Sequence, residues 1–243
     1  MIGALPKSGS RVGIRPAFAA VLALAGLVRG STAIQDQNVW LNLSVTGPLL
    51  GARTGPNPWR FYFDSPNRFA DDAHRYAQGA WRSAVGCHLS PRWSAWAGYG
   101  HTRTATPYAR VPFGEHRPFQ QLLWSRRAGR TNLGYRLRLE ERFPDTGTDL
   151  GLRLRQQFRL SHPAPGLKPL AWVLSEEYFL NLNVTDYGAR RGIDQNRIFA
   201  GVAWQWSEGF RSELGYLHHF TNRHGQPNRL NHVLALNLAL SLP

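Results

Sequence analysis

Arginine and glutamate recur at alternate positions in two neighbouring stretches: Arg136, Arg138, Glu140 and Arg142, then Arg153, Arg155 and Arg159. A spacing of two puts side chains on one face of a β-strand. There the planar fork of arginine meets a carboxylate bidentately, which gives ion pairs, while any arginine left over is a site for anions. Farther along, Glu177 shares a face with Ser175 and Asn181, and the next segment carries Gln195, Arg197, Gly201 and Gln205 on its polar face. Antiparallel pairing then predicts Glu177 opposite Arg197, and Glu140 opposite Arg153 or Arg155.

Catalytic motifs do not compete with this pattern. The chain has no G-x-S-x-G elbow, no H-E-x-x-H, and no histidine pair with an acid at metal-ligand spacing. His218 and His219 are adjacent, so one strand points them to opposite faces. The expectation is a non-enzyme that uses no cofactor and no metal. The alternative is an outer-membrane lipid-modifying enzyme, a hydrolase or acyl modifier, whose rim site is assembled from distant strands.

The elements that carry these residues read as short stretches of alternation broken by turn residues. In TNLGYRLRLEERF, Leu133, Tyr135, Leu137 and Leu139 fall on the face opposite the charges. The turn PDTGTD follows, and Leu150, Leu152, Leu154, Phe158 and Leu160 repeat the apolar face of the returning strand. The last segment sets Leu234, Leu236, Leu238 and Leu240 against Asn231, Val233, Ala235 and Asn237. Further strands are predicted at 39–45, 58–64, 76–89, 93–102, 115–125, 169–181, 195–206 and 211–220, eleven in all. Single-chain bacterial barrels use even numbers, so the expectation is a transmembrane barrel of ten to twelve strands, with twelve preferred to eleven. Gly98-Tyr99, Gly134-Tyr135 and Gly215-Tyr216 form a small echo, and in the last two alternation turns glycine inward and sends tyrosine to an outer aromatic girdle. Trp40, Trp59, Trp93, Trp204 and Trp206 are assigned to the same girdle.

The first 33 residues have the order of a secretory leader: Lys7, Arg11 and Arg15, an apolar run from Ala17 to Val28, then Ser31-Thr32-Ala33 as a cut site. The domain reading is therefore a signal peptide at 1–33 and a barrel domain at 34–243. A span of lipid built without a long apolar helix requires a closed barrel, because every backbone amide and carbonyl must be paired. The chain carries 29 Lys plus Arg against 15 Asp plus Glu, a net charge of +14. Lys7 and Lys168 are its only lysines, and arginines at strand spacing in an exported chain argue against nucleic acid. The expected partners are outer-membrane lipid and small anions. Cys87 is the only cysteine, so no intramolecular disulfide forms.

EHRPFQQLLW (115–124), RLRLEERF (136–143), SEEYFLNLN (175–183), DQNRIFAGVAW (194–204) and ELGYLHHF (213–220) resemble, in that order, the motifs of the bacterial family catalogued as domain of unknown function 2490. The resemblance runs from about Gln37 to Leu242. It implies a Gram-negative outer-membrane β-barrel and marks Glu115, Arg117, Arg138, Glu140, Arg142, Glu177, Asn196 and Arg197; it implies no activity or substrate. Taken together, Glu115, Arg117, Arg136, Arg138, Glu140, Arg142, Arg153, Arg155, Glu177, Asn196 and Arg197 are expected to form a polar network in the lumen. That lumen either admits anions, as a narrow porin-like pore, or is filled by its own ion pairs as a scaffold. A soluble periplasmic β-sandwich binding acidic ligands, with the leucine faces sharing a core, is the remaining alternative.

Overall fold

Alternating leucine and arginine cannot be buried on both faces, so each strand needs one side in an apolar medium and one beside other charges. The computed structural model, which describes residues 33–49 and 58–243, meets that demand with a single closed sheet. Its eleven strands are β1 (Ile34–Pro48), β2 (Trp59–Ala70), β3 (Arg75–His88), β4 (Trp93–Thr104), β5 (Phe113–Ala128), β6 (Thr131–Pro144), β7 (Gly151–Pro163), β8 (Leu170–Asn181), β9 (Gly192–Gln205), β10 (Phe210–Thr221) and β11 (Arg229–Ser241). The leader predicted at 1–33 lies outside the described residues, except for Ala33.

Every predicted strand is present, and the adjustment to an even number is overturned. With eleven strands in up-and-down order, β1 and β11 run the same way, and the barrel closes through a parallel ladder from Ile34 opposite Arg229 to Thr46 opposite Ser241. All other neighbours pair antiparallel. The leucine faces have no second sheet to pack on. Leu43, Leu122, Leu214 and Leu234 are 39–55% exposed on the outer wall, which removes the sandwich alternative.

One end of the barrel carries the connections 89–92, 129–130, 164–169 and 206–209, and the other carries the longer ones at 105–112, 182–191 and 222–228. The tight β5–β6 reversal uses Gly129 in the left-handed region, at φ 61°. At the opposite end, the turn 71–74 places Asp71, Asp72 and Ala73 at positive φ, and the Asp36 carboxylate accepts hydrogen bonds from the Asp71 and Asp72 amides at 3.1 Å each. A carboxylate facing consecutive amides offsets the strain of that backbone.

The interior is filled unevenly. Trp40, Val173, Phe199, Ala203, Val233 and Ala235 form an apolar patch on the wall made by β8, β9, β11 and β1, with Leu217 against it. Close approach there depends on Gly201 and Gly215, which face each other across β9 and β10. A Cβ on Gly215 would lie 2.4 Å from the Ala200 carbonyl and 2.8 Å from the Phe199 ring. Gly98 does the same for Phe119: a Cβ there would sit 2.4 Å from Phe119 Cζ and 2.5 Å from the Ser83 carbonyl oxygen. Gly134, the third member of the glycine-tyrosine echo, is loose, with its nearest neighbour at 3.7 Å. Gly98→Val is therefore expected to cost about 1–3 kcal/mol through overpacking, seen as a lower urea midpoint in detergent, whereas Gly134→Ala leaves the midpoint unchanged.

Candidate functional site: the arginine–glutamate lumen

The inward faces of β5 to β9 hold a lattice of ion pairs, and strand register builds it. Glu140 stands opposite Arg153, Arg138 opposite Arg155, and Glu177 opposite Arg197. Glu140 receives Arg153 Nη2 at 2.6 Å on one oxygen and Arg155 Nη1 at 2.5 Å on the other. Glu177 accepts from Arg155 and Arg136, both at 2.7 Å, with Arg197 at 3.9 Å. Glu115 holds Arg117 at 2.6 Å and Arg142 at 2.5 Å. Each of these carboxylates thus serves two or more guanidiniums, and all three are buried.

Of the residues predicted for this network, Glu115, Arg117, Arg136, Arg138, Glu140, Arg142, Arg153, Arg155, Glu177 and Arg197 share the lumen. Asn196 does not. Alternation turns it to the outer wall beside Arg197, where its Nδ2 donates to Glu176 Oε1 at 3.1 Å. Trp40, placed in the outer girdle by the sequence reading, is inside and 9% exposed.

Other members escaped the sequence reading. Asp64 and Arg82 face each other across β2 and β3 in a bidentate pair, with Arg82 Nε donating to Asp64 Oδ1 at 2.7 Å. The aspartate ended the stretch read as a strand, because Ser65 and Pro66 interrupt the alternation there. Inward aromatics support the guanidinium planes, which are weakly hydrated and attracted to ring faces. Arg138 lies 4.2 Å from the Phe119 centroid, Arg155 and Arg197 lie 4.4 and 4.3 Å from Phe179, and Arg68 lies 4.1 Å from Trp40. The signal was available, since Phe119 and Phe179 alternate in step with the charged positions.

Among the described residues, spaces of about 230, 190 and 360 Å³ lie around this lattice. Arg68, Arg82, Arg155 and Arg197 border both the first and the second. Arg136 and Gln157 border both the second and the third. The spaces therefore follow one another along the barrel, from the long-loop mouth to the short-turn mouth, with arginine side chains between them.

At the long-loop mouth two connections are tied together. Asp186 Oδ2 accepts from the Thr148 amide at 2.7 Å and its hydroxyl at 2.9 Å, Asp186 Oδ1 accepts from the Asp149 amide at 3.3 Å, and the Asp186 amide donates to Asp149 Oδ2 at 2.8 Å. Those donors, the Thr148 amide foremost, hold the Asp186 carboxyl below the usual aspartate range. A depressed folded-state pKa stabilises above the unfolded value, about 3.9, and the gain fades as pH falls through the lower folded one. The clamp is thus expected to stay closed at neutral and mildly acidic pH. Asp186→Ala should speed tryptic cleavage after the exposed Arg190 and Arg191 at neutral pH, and that difference from wild type should shrink when loop opening is followed by hydrogen exchange in strong acid.

The family described as Protein of unknown function (DUF2490) has a model that matches residues 37–231, from β1 to β11. The chain belongs to that family. An uncharacterized protein of Methylorubrum extorquens strain AM1 is 27% identical over 222 residues, which cover 89% of this chain and 92% of the relative. Among solved structures, the outer-membrane expressed OmpT of Vibrio cholerae aligns with 13% identity and a TM-score of 0.39, covering 74% of this chain and 61% of that one. The chain thus spans about three-fifths of that structure's length. The residues by which this DUF2490 barrel resembled its family in sequence are, with the exception of Asn196, the residues of the lumen lattice.

Proposed function

We propose that this protein is an integral outer-membrane barrel whose lumen is closed by its own ion-pair lattice, a membrane-seated scaffold and not an open channel. The observation that carries the membrane placement is the outer wall. Leu43, Leu122, Phe158, Leu214 and Leu234 are exposed along the strands, and Trp59, Trp93, Trp172 and Trp204 are exposed at the short-turn end. Toward the long-loop end the same wall turns polar at His101, His116, Glu141, His218 and His232, each three residues from the end of its strand. An apolar band between an aromatic girdle and a polar belt suits hydrocarbon bounded by two interfaces. In water it would be a contiguous patch far above what a soluble monomer tolerates.

Export through a leader ending at Ala33 belongs to the same proposal, and the mature protein is expected to begin at Ile34 by N-terminal sequencing. Closure is supported by Arg138 and Glu140, which are at most 2% exposed in the middle of the lumen. A non-enzymatic role is supported by the company the histidines keep. His162 bonds Thr131, His116 bonds Tyr99, His232 bonds Tyr216, and His219 bonds Gln195 and Asn231. Among the described residues none of these sits between a hydroxyl and a carboxylate.

Fractionation followed by gel mobility with and without boiling tests the placement. Recovery with the outer membrane and heat-modifiable migration are expected. A protein soluble without detergent would overturn the proposal.

A further inference from the structure

The lumen's carboxylates do not reach all of its arginines. Glu115, Glu140 and Glu177 are taken up by the lattice, and Asp64 by Arg82. Above them, the 230 Å³ space at the long-loop end is bordered by Arg68, Arg197 and Arg229, which project from three different strands. Among the described residues Arg68 and Arg229 have no carboxylate within ion-pair range. Arg68 donates to Gln78 Oε1 at 2.5 Å and rests on Trp40; Arg229 donates to the Pro107 carbonyl at 3.2 Å and rests 5.3 Å from the Tyr108 ring. Arg197 reaches Glu177 only at 3.9 Å, and its Nε is buried without an acceptor. Arg117 in the same wall also has a buried Nε without an acceptor. Positive charge is thus concentrated around a partly enclosed space, where uncompensated charge is costly and an anion would relieve it.

The geometry selects the anion. One carboxylate needs one fork, whereas guanidiniums converging from separate strands suit a tetrahedral oxyanion with several acceptor oxygens. Between the charged groups the same wall offers uncharged hydrogen-bonding side chains, Gln78, Thr102, Thr104, Gln195 and Thr221. Such groups suit hydroxyls on a short carbon skeleton. The volume is below the usual range for ligand pockets, about 300–1,000 Å³, so the molecule must be small. His219 lies at the edge, with Nδ1 3.2 Å from Asn231 Nδ2 and Nε2 3.1 Å from Gln195 Oε1.

We propose that the upper lumen is a binding site for a small, hydroxyl-bearing phosphate monoester, its phosphate held by Arg68, Arg197 and Arg229. This deepens the closed-lumen reading and rests on the lumen geometry, not on the seat in the membrane.

The test is calorimetric titration of the folded barrel in non-ionic detergent with glycerol 3-phosphate, inorganic phosphate, acetate and glycerol. The expected order of affinity is glycerol 3-phosphate, then phosphate, then acetate, with none for glycerol. Arg68→Gln and Arg197→Gln should each weaken glycerol 3-phosphate binding by about tenfold to a hundredfold. Arg127→Gln, at the exposed opposite end, should leave it unchanged. Arg68→Lys keeps the charge and loses the fork, so it guards against a folding defect in the glutamine variant; folded by gel mobility, it should still bind more weakly than wild type. Absence of saturable binding, acetate binding as tightly as phosphate, or equal losses in Arg127→Gln would each overturn the site. A soluble barrel that still bound phosphate this way would overturn the membrane placement alone.

Discussion

Replacing Glu140 by glutamine is expected to lower the unfolding free energy by about 3–5 kcal/mol, the usual cost of removing one partner from a buried charge cluster. Glu140 takes both Arg153 and Arg155 at hydrogen-bond distance and has Arg138 at 3.7 Å. The glutamine keeps the shape and removes the charge these buried guanidiniums share, leaving Arg153 only Asp194 at 3.4 Å, Arg155 only Glu177 at 2.7 Å, and Arg138 no carboxylate. Arg138→Met should behave in the opposite way. Arg138 spends Nε and Nη2 on one acceptor, Gln121 Oε1 at 2.9 and 2.7 Å, and its buried Nη1 has no hydrogen-bond partner, with Glu140 Oε1 3.7 Å away. A methionine of similar length can rest on Phe119 through its sulfur and removes a poorly compensated charge, so stability is held or raised. The double variant should then be more stable than Glu140→Gln alone. Urea unfolding in detergent, followed by tryptophan fluorescence, measures all three. Equal losses for Glu140→Gln and Arg138→Met would mean that the lattice is held by packing and not by charge balance.

That contrast also shows which parts of the site could be read in one dimension. Register and face were legible because an apolar residue alternates with glycine or a charged one from Leu133 to Glu140, and leucine with arginine from Leu152 to Arg155, and each face has one destination. Glu140 opposite Arg153 and Glu177 opposite Arg197 follow from that and are found. Three things did not follow. Tryptophan suits both a lipid interface and a guanidinium, so Trp40 was sent outward when only its parity with Asn38 and Asn42 could have brought it in. Asn196 lies in the motif D-Q-N-R, but alternation separates it from both Gln195 and Arg197, and the motif outweighed the alternation. Strand number is a property of closure, decided by whether the first and last strands can pair. The eleven segments were visible, and the parallel β1–β11 ladder that lets an odd number close leaves no local mark.

Removing the side chains that separate the three lumen spaces is expected to turn a closed barrel into an anion-conducting one. Arg136 stands between the lower and middle spaces, and Arg155 between the middle and upper. Truncating these two alone would leave Glu177 buried with only Arg197 at 3.9 Å, so the informative variant is the triple Arg136→Ala, Arg155→Ala, Glu177→Ala. It removes Glu177 together with both of its close partners, which costs less than stranding the carboxylate, and takes from Arg197 only a neighbour at 3.9 Å. Glu140 loses Arg155 and keeps Arg153 at 2.6 Å as its counter-charge. Wild type in planar bilayers should show no steady conductance. The triple variant, checked for heat-modifiable migration, should show small steps with a reversal potential that favours anions, because Arg68, Arg82, Arg142 and Arg197 still line the path and lower the entry cost for negative charge. Anion conductance in wild type would mean that the arginines move aside in the native barrel, and the closed-scaffold proposal would give way to a narrow pore. A folded triple variant that stayed silent would move the block to the Asp64–Arg82 pair, the next residues that close the lumen at that level.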